Sequence, residues 1–399
     1  METSDHLLTN KELRRGFFGL YFGRMAMSVA NGLIGIFLPI FLYNLLDGNV
    51  SLIMLYYGLT GLAYVFLVAF GAQFLNKFGF RRSLVLGSFL AAVVNAAYFF
   101  VTKENAFLLL SCSLVALVLF RMFFWIPFHV DFAIFTNKGK KGGQVGLMLG
   151  TMTLVGIAGP MIAGYIIQNW SMQVLFFIGV LVYILSMIPF KMVPRTNERF
   201  SWTYKKVWQE LFAKKNRGIV WASVAVGAED IIGFTIWPIF IFVLLKGNYF
   251  QVGALESFIV GITVLLQLMF GRYLDRIEKK HRTLRMSSVL YAFGWIIKIF
   301  VATAAQVFVV GLYHRITKVL TDTSYDAIFY ETAADQGHYV DEYTVLSEMA
   351  INIGRVVGTG AVAILLVFLS LKWTFIVGAA ASLVFITLSA THQMNEKRA

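Results

Sequence analysis

Long apolar stretches are the feature that most limits how this chain can fold. A bilayer core of about 30 Å requires roughly 20 apolar residues per spanning helix, and twelve segments of suitable length follow one another along the sequence. They cover residues 16–44, 51–75, 83–102, 106–134, 144–168, 171–193, 218–245, 252–274, 284–304, 307–333, 342–369 and 372–392. Only 14% of the residues are charged. The apolar runs are continuous and do not alternate with polar residues, which predicts transmembrane helices and not barrel strands.

The distribution of Lys and Arg predicts the orientation. With the amino terminus in the cytoplasm, 24 of the 34 Lys and Arg lie in the cytoplasmic loops and termini, against only Lys103, Lys246 and Lys372 in the opposite loops. Cytoplasmic loops carry such an excess of positive charge. We therefore predict an integral, multi-pass protein of the cytoplasmic (plasma) membrane with both termini in the cytoplasm. A basic face beside anionic membrane lipid explains the net charge of +13, and we predict no nucleic-acid partner.

An internal repeat divides the chain into two halves. The phrase PIFLYNLLDGN at 39–49 returns as PIFIFVLLKGN at 238–248, with seven of eleven positions identical and an offset of 199. Weaker matches occur at the same offset. They pair residues 72–82 with 271–281 and residues 171–179 with 370–378. Several matches at one offset indicate duplication, whereas a single apolar match would not.

The repeat predicts the architecture. Both halves begin on the cytoplasmic side, so they are parallel repeats about an axis normal to the membrane. The predicted fold is an all-α membrane protein with twelve transmembrane helices in two pseudo-symmetric six-helix halves. The halves are residues 1–193 and 218–399, joined by a basic cytoplasmic linker at 194–217. Near the fourth span the offset falls to 194, which pairs Arg121 with Arg315.

The loop after the second span resembles that of a known family. It reads AQFLNKFGFRR at 72–82, which is similar to the Gly-x3-Asp-Arg-x-Gly-x-Arg-Arg signature of the major facilitator superfamily. Ala72 and Asn76 replace the Gly and the Asp of that signature, and the second copy of the loop keeps Gly271. The resemblance implies that fold, alternating access, and a cytoplasmic latch between the halves. The latch residues that it implies are Asn76, Lys77, Arg81, Asp275 and Arg276.

The fifth span contains a second, partial match. Its GPMIAG sequence at 159–164 is similar to the Gly-Pro-x-x-Gly-Gly element of the family's proton-coupled drug exporters. The alternative is that these small residues allow close helix packing beside a proline bend.

Two adjacent acids lie about halfway through the seventh span. A charge at this depth costs at least about 2.5–3.5 kcal/mol, so Glu229 and Asp230 are expected to face a cavity or a partner. Two acids this close in a low dielectric do not both ionise easily, which suits a proton-coupling site. The alternative is that Arg or Lys from another helix neutralises them for assembly alone.

Basic residues in several spans are predicted to bind substrate. The resemblance places spans 1, 4, 7 and 10 around a central cavity, and the repeat relates Arg121 to Arg315. Two guanidinium groups at mid-membrane would suit a carboxylate or phosphate group. Alternatively, each Arg pairs with Glu229, Asp230 or Asp322 inside the protein. The predicted substrate-binding residues are Arg24, Arg121, His314, Arg315, Lys318 and Arg355.

Further polar residues have weaker interpretations. Glu348, Asn352 and Arg355 share one face of the eleventh span, and structural bridging is the favoured role. Asp322 and Asp326 have either a cation-binding or gating role or a contact with the basic loops opposite. His129 either titrates near neutrality or is simply hydrogen-bonded near its helix end. Asp131 lies two residues after His129, on a different face.

The sequence contains no Walker loop, no His/Cys metal cluster and no nucleophile elbow. We therefore predict a protein that is not an enzyme, needs no cofactor and functions as a monomer. The predicted function is secondary active transport of a small organic solute by alternating access, coupled to protons. The alternatives are a drug/proton antiporter, or a receptor or lipid scramblase on the same fold.

Overall fold

The computed structural model describes residues 9–135, 141–196, 200–274, 280–334 and 340–388. The first half consists of α1 (Asn10–Ile34), α2 (Phe37–Leu45), α3 (Val50–Phe78), α4 (Phe80–Phe100), α5 (Ala106–Phe135), α6 (Lys141–Asn169) and α7 (Met172–Met192). The linker contains α8 (Tyr204–Leu211). The second half consists of α9 (Arg217–Ile231), α10 (Trp237–Leu244), α11 (Tyr249–Leu274), α12 (Lys280–Lys298), α13 (Ala304–Ala334), α14 (Val340–Phe368) and α15 (Phe375–Val384). A π-helical segment, Ile232–Ile236, connects α9 to α10.

Each predicted span coincides with a helix or a bent helix pair. Within the described ranges, nine segments are long and apolar enough to cross a membrane, and α1 with α2, bent by 47°, makes a tenth. The other two predicted spans are α12 and α13. These two helices are less apolar than the other spans because they contain charged and polar side chains, including Lys298, Arg315 and Lys318.

Helix packing confirms two pseudo-symmetric halves. In the first half, α4 packs against α5 and α7, and α1 packs against α6 and α7. The corresponding contacts of the second half join α12 to α13 and α15, and α9 to α14 and α15. Between the halves, α3 packs against α14 and α6 against α11, and these two contacts are also related by the repeat. The domain boundaries and the orientation in the membrane remain predictions.

The repeated phrase forms the same turn twice. Asp47 and Lys246 have φ of 53° and 54°, and the following Gly48 and Gly247 have φ of 79° and 81°. Positive φ is accessible to Gly at little cost, which explains why both copies keep Gly there. In both turns the next residue is an Asn whose side chain accepts a backbone hydrogen bond at the start of the following helix.

The repeat also places two helix irregularities at equivalent positions. The break between α1 and α2 lies at residues 35–36, and adding the offset of 199 places it inside the π-helical segment at 232–236. That segment follows Glu229 and Asp230 directly. Single-turn π irregularities are frequent at functional sites, which makes the surroundings of both acids a candidate site.

The GPMIAG element packs closely against two other helices. A Cβ atom at Gly159 would lie 2.7 Å from the carbonyl oxygen of Gly32, and one at Gly253 would lie 2.1 Å from the carbonyl oxygen of Pro160. The Met161 amide also donates a hydrogen bond of 3.0 Å to Ser257 Oγ. Close backbone approach between α6, α1 and α11 therefore accounts for the small residues of this element.

Glycines bring α9 and α14 equally close, which yields a testable prediction. A Cβ at Gly354 would lie 1.9 Å from the Val224 carbonyl oxygen, whereas one at Gly360, also on α14, would meet no atom within 4 Å. We expect Gly354→Ala to lower the free energy of unfolding by about 1–3 kcal/mol, because backbone cannot move aside as a flexible side chain can. Thermal unfolding in detergent measures this, with Gly360→Ala as the matched control. Equal midpoints for the two variants would contradict the packing shown here.

Candidate functional site

Glu229 lies at the centre of a charged cluster inside the second half. Its side chain is 2% exposed. Lys318 Nζ on α13 lies 2.7 Å from Glu229 Oε2, and the Tyr291 hydroxyl on α12 donates a hydrogen bond to Oε1. Asp322, one turn after Lys318, is 3.8 Å from the same Nζ atom. Three helices of the second half thus converge on one carboxylate.

Asp230 pairs with a different helix. Arg355 on α14 places Nη2 2.9 Å from Asp230 Oδ2, and its Nη1 donates to Asn352 Oδ1 at 3.3 Å. Adjacent helical residues point about 100° apart, which is why the doublet divides between two partners. Both acids are therefore paired with basic residues of other helices, as the second interpretation of the sequence expected.

Arg315 is also neutralised within the second half. Its guanidinium donates a hydrogen bond to the carboxylate of Glu256 on α11. Sequence analysis missed Glu256, although it is the one acid in the eighth apolar stretch and that isolation was an available signal. It also missed Tyr291, since a Tyr in an apolar span is ordinarily core.

Lys298 and His314 lie in an aromatic region beside this cluster. Lys298 is 1% exposed, and its Nζ lies 4.1 and 3.8 Å from the ring centroids of Trp237 and Trp295. His314 packs against the rings of Tyr291 and Trp295, and its Nδ1 has no hydrogen-bond partner among the described residues. His314 was among the residues predicted from the sequence but Lys298 was not, although it lies inside the predicted span at 284–304 and is the last residue of α12.

The first half has a different electrostatic character. The Arg24 guanidinium of α1 lies 4.8 Å from the Trp125 ring centroid and 5.5 Å from that of Phe128. The His129 ring stacks on Trp125 at 5.7 Å between centroids. Within the described part of the chain, no carboxylate lies within the 4.0 Å of an ion pair with Arg24. We call Arg24, Trp125, Phe128 and His129 the Arg24 pocket.

In its contacts, Arg121 is intermediate between Arg315, which has a carboxylate partner, and Arg24, which contacts aromatic rings. Its guanidinium lies 4.8 Å from the ring centroid of Tyr64 on α3. It interacts electrostatically with Glu348 on α14, but the described residues include no carboxylate at ion-pair distance from it. Arg121 is thus balanced at longer range by the other half, whereas Arg315, its repeat partner, is paired directly within its own half.

The predicted latch contains a contact with the linker. Asn76 Nδ2 donates to the Phe200 carbonyl oxygen at 2.8 Å, and Asn76 Oδ1 accepts from the Phe200 amide at 2.9 Å. The next residue, Ser201, donates from its amide and its hydroxyl to Glu342 Oε1 on α14. Residues 200–201 thus connect α3 to α14, and we call this connection the linker clasp. Lys77 and Arg81 form no ion pair among the described residues, and Asp275 and Arg276 lie outside those residues.

Other linker contacts hold α8 in place. Burial raises the pKa of the Glu210 carboxyl, but hydrogen bonds from Lys206, Lys215 and Asn216 outweigh burial and hold the pKa below its ordinary value. Asn216 also accepts a hydrogen bond of 3.2 Å from the Tyr343 hydroxyl of α14. The linker is therefore attached to the second half at two points.

The linker clasp predicts a change in protease sensitivity. We expect Asn76→Ala to remove both hydrogen bonds to Phe200 and to speed tryptic cleavage after Lys205 and Lys206 several-fold, because cleavage requires local opening of the segment. The cleavage rate is followed by mass spectrometry of the linker peptides. Lys77→Ala, which alters an exposed neighbour, is the control. If both variants are cut at the wild-type rate, the clasp does not restrain the linker.

The remaining predicted polar residues lie apart from these clusters. Asp131, fully buried near the end of α5, accepts a hydrogen bond of 2.8 Å from Thr196 Oγ1. Asp326 is exposed one turn after Asp322 on α13. The described chain has no group of three or more His, Cys, Asp or Glu placed to hold a metal ion.

Comparisons with known proteins address the fold. A family model described as Major Facilitator Superfamily matches residues 20–314. A crystal structure of the peptide transporter POT in complex with sulfate superposes with a TM-score of 0.68 at 10% identity, covering 96% of this chain and 95% of that one. A variant of that transporter in complex with alafosfalin gives 0.66 at 10% identity, covering 95% and 94%. No curated protein matches the sequence significantly. At this identity the structural likeness concerns the fold alone.

Proposed function

The chain belongs to the Major Facilitator Superfamily, and from that premise we propose that it is a proton-coupled secondary transporter for a small organic anion. Alternating access would expose a site between the halves first to one side of the membrane and then to the other. The family supplies the general activity of a secondary transporter. The anionic solute and the proton are our own proposals.

The observation that supports an anionic solute is the Arg24 pocket. The second-half cations Arg315, Lys318 and Arg355 each have a carboxylate partner, whereas Arg24 faces aromatic rings. A charge inside the bilayer normally pairs with a partner or faces a water-filled cavity. An incoming carboxylate would supply the countercharge that the protein does not provide, and the guanidinium fork matches carboxylate geometry.

The proposed proton site is the pair of Glu229 with Lys318. Protonation of Glu229 would remove the charge that holds Lys318, and Tyr291 would remain as the hydrogen-bond partner of the neutral acid. Lys318 would then be free to turn toward Asp322 or toward the anion of the solute. This exchange of partners would couple uptake of an anion to uptake of a proton. In this proposal the first half binds the anion and the second half binds the proton.

The second acid has a different proposed role. Asp230 and Arg355 join α9 to α14, the helix that also packs against α3 of the other half. This pair stands between the proton site and the contact of the two halves. We assign it to the transmission of movement between them.

Transport in proteoliposomes tests the proposal. The purified chain is reconstituted, and labelled carboxylates, dipeptides included, are offered alongside their neutral amides under an imposed pH gradient. We expect accumulation of at least one carboxylate that collapses when a protonophore is added, with no accumulation of its amide. Gradient-driven movement of cationic drugs alone would favour the antiporter alternative. Absence of gradient-driven movement across the whole panel would favour a receptor or scramblase.

A further inference from the structure

A groove on the predicted cytoplasmic side is separate from the Arg24 pocket and from the Glu229 cluster, and Arg81 of the predicted latch is one of its lining residues. It has a volume of about 490 Å³ and lies where α3 ends, α4 begins and α7 ends. Phe78, Leu86, Phe89 and Met187 contribute apolar walls. None of these residues contacts the Arg24 pocket or the Glu229 cluster in any described interaction.

Three cations line the same groove. Arg81 and Arg82 come from the first turn of α4, and Lys191 comes from the last turn of α7. None forms an ion pair with a carboxylate of the described residues, and no acid is among the residues lining the groove. Three like charges around one concave surface repel one another, so a polyanionic or anionic partner would relieve that repulsion. Charge alone would suit any anion.

The apolar surroundings narrow the choice of partner. Phe89 on α4 is 50% exposed and Ile188 on α7 is 61% exposed, so the two helices present large apolar side chains outward beside the groove. In a spanning protein such a surface faces lipid tails. A partner that neutralises the cations and also covers the apolar walls must carry an anionic head and an apolar chain in one molecule. Basic pockets between transmembrane helices on the cytoplasmic side bind anionic lipid head groups by this combination.

We propose that this groove binds an anionic phospholipid, with its phosphate held by Arg81, Arg82 and Lys191 and one acyl chain packed along Phe89 and Met187. A soluble phosphate metabolite would leave the apolar wall uncovered, and a zwitterionic lipid would bring no net negative charge to the three cations. We call it the phospholipid groove. The lipid would join α4 to α7 within the first half, at the loop that the family signature occupies.

The test uses the purified full-length chain and two lipids, dioleoyl phosphatidylglycerol and dioleoyl phosphatidylcholine. Native mass spectrometry titrates each lipid and gives an apparent Kd for the first bound molecule. We expect the anionic lipid to bind at least tenfold more tightly. Arg82→Gln and Lys191→Gln should each weaken phosphatidylglycerol binding about fivefold, the effect of about 1 kcal/mol per interfacial cation. The matched control, Lys205→Gln with Lys214→Gln, removes two exposed cations outside the groove and should change little.

A third groove variant keeps the test independent of charge, and its unfolding temperature shows whether it folds. Met187→Trp fills the apolar part without altering any cation, and it should weaken phosphatidylglycerol binding as well. Equal loss of affinity in the control pair would show a general electrostatic effect and overturn the site. Unchanged affinity in all three groove variants would also overturn it. If glycerol 3-phosphate at equal concentration displaces the lipid, the groove is an anion site for a soluble ligand and the phospholipid assignment is wrong.

Discussion

Glu229→Gln is expected to reduce pH-gradient-driven uptake of the solute to the level of passive leak. Gln is close in size to Glu but cannot take up and release a proton, and it leaves Lys318 without its nearest carboxylate. Removing one member of a fully buried pair costs about 3–5 kcal/mol, and the loss here should be smaller, because the Lys318 side chain is 32% exposed and Asp322 lies 3.8 Å from its Nζ. Uptake in proteoliposomes measures the first effect, and thermal unfolding measures the second.

The double variant Glu229→Gln with Lys318→Gln separates the two possible roles of this pair. Removing both charges eliminates the unpaired ammonium, so the unfolding temperature should recover. If the pair serves only assembly, uptake should recover with it. If Glu229 carries the proton, the stable double variant remains inactive under a pH gradient, although it still exchanges solute down a concentration gradient. Restored gradient-driven uptake in the double variant would refute the proton-site assignment.

Arg24→Gln is the second substitution with a large expected effect. A hydrogen bond to a charged group contributes about 1.5–3 kcal/mol, so binding of the carboxylate solute should weaken about 10- to 150-fold. Binding of the neutral amide, which does not depend on the guanidinium charge, should be nearly unaffected. The apparent Kd for each compound is obtained from ligand-dependent thermal shifts, which do not require transport to occur.

Two further variants make the Arg24 prediction specific. Arg24→Lys keeps the charge but loses the planar fork, and we expect it to retain part of the affinity for the carboxylate. Arg315→Gln removes a cation that is already paired with Glu256, and it should lower stability while carboxylate binding persists. If Arg315→Gln abolishes carboxylate binding and Arg24→Gln does not, the solute binds to the second half and the proposed division between the halves is wrong.

The long apolar stretches, the repeat and the resemblance in the family signature allowed the fold to be predicted. The turn at Asp47–Gly48 shows why. This turn requires positive φ, and its second copy at Lys246–Gly247 has the same backbone conformation. The repeated sequence therefore corresponds to a repeated local structure. A lipid environment strengthens such predictions, because each span must satisfy its own backbone hydrogen bonds whatever surrounds it.

For the candidate site, the sequence predicted which residues take part but not which of them contact one another. Glu229, Asp230, Arg315, Lys318 and Arg355 were identified because charges in apolar spans are costly and therefore conspicuous. Their pairing was left open between several partners. Glu256 and Lys298 were not predicted, although each is a charged residue inside a predicted span.

The sequence by itself predicted an all-helical membrane fold, its internal repeat, and which residues are too polar for lipid. These properties follow from local composition and from periodicity along the chain. The tertiary structure decided which charges neutralise one another and that Arg24 is left against aromatic rings. Pairing depends on a few ångströms between helices far apart in the sequence, because the interaction of two charges changes steeply with distance and surroundings. The sequence pattern of a single helix does not determine the distance between charges on two different helices.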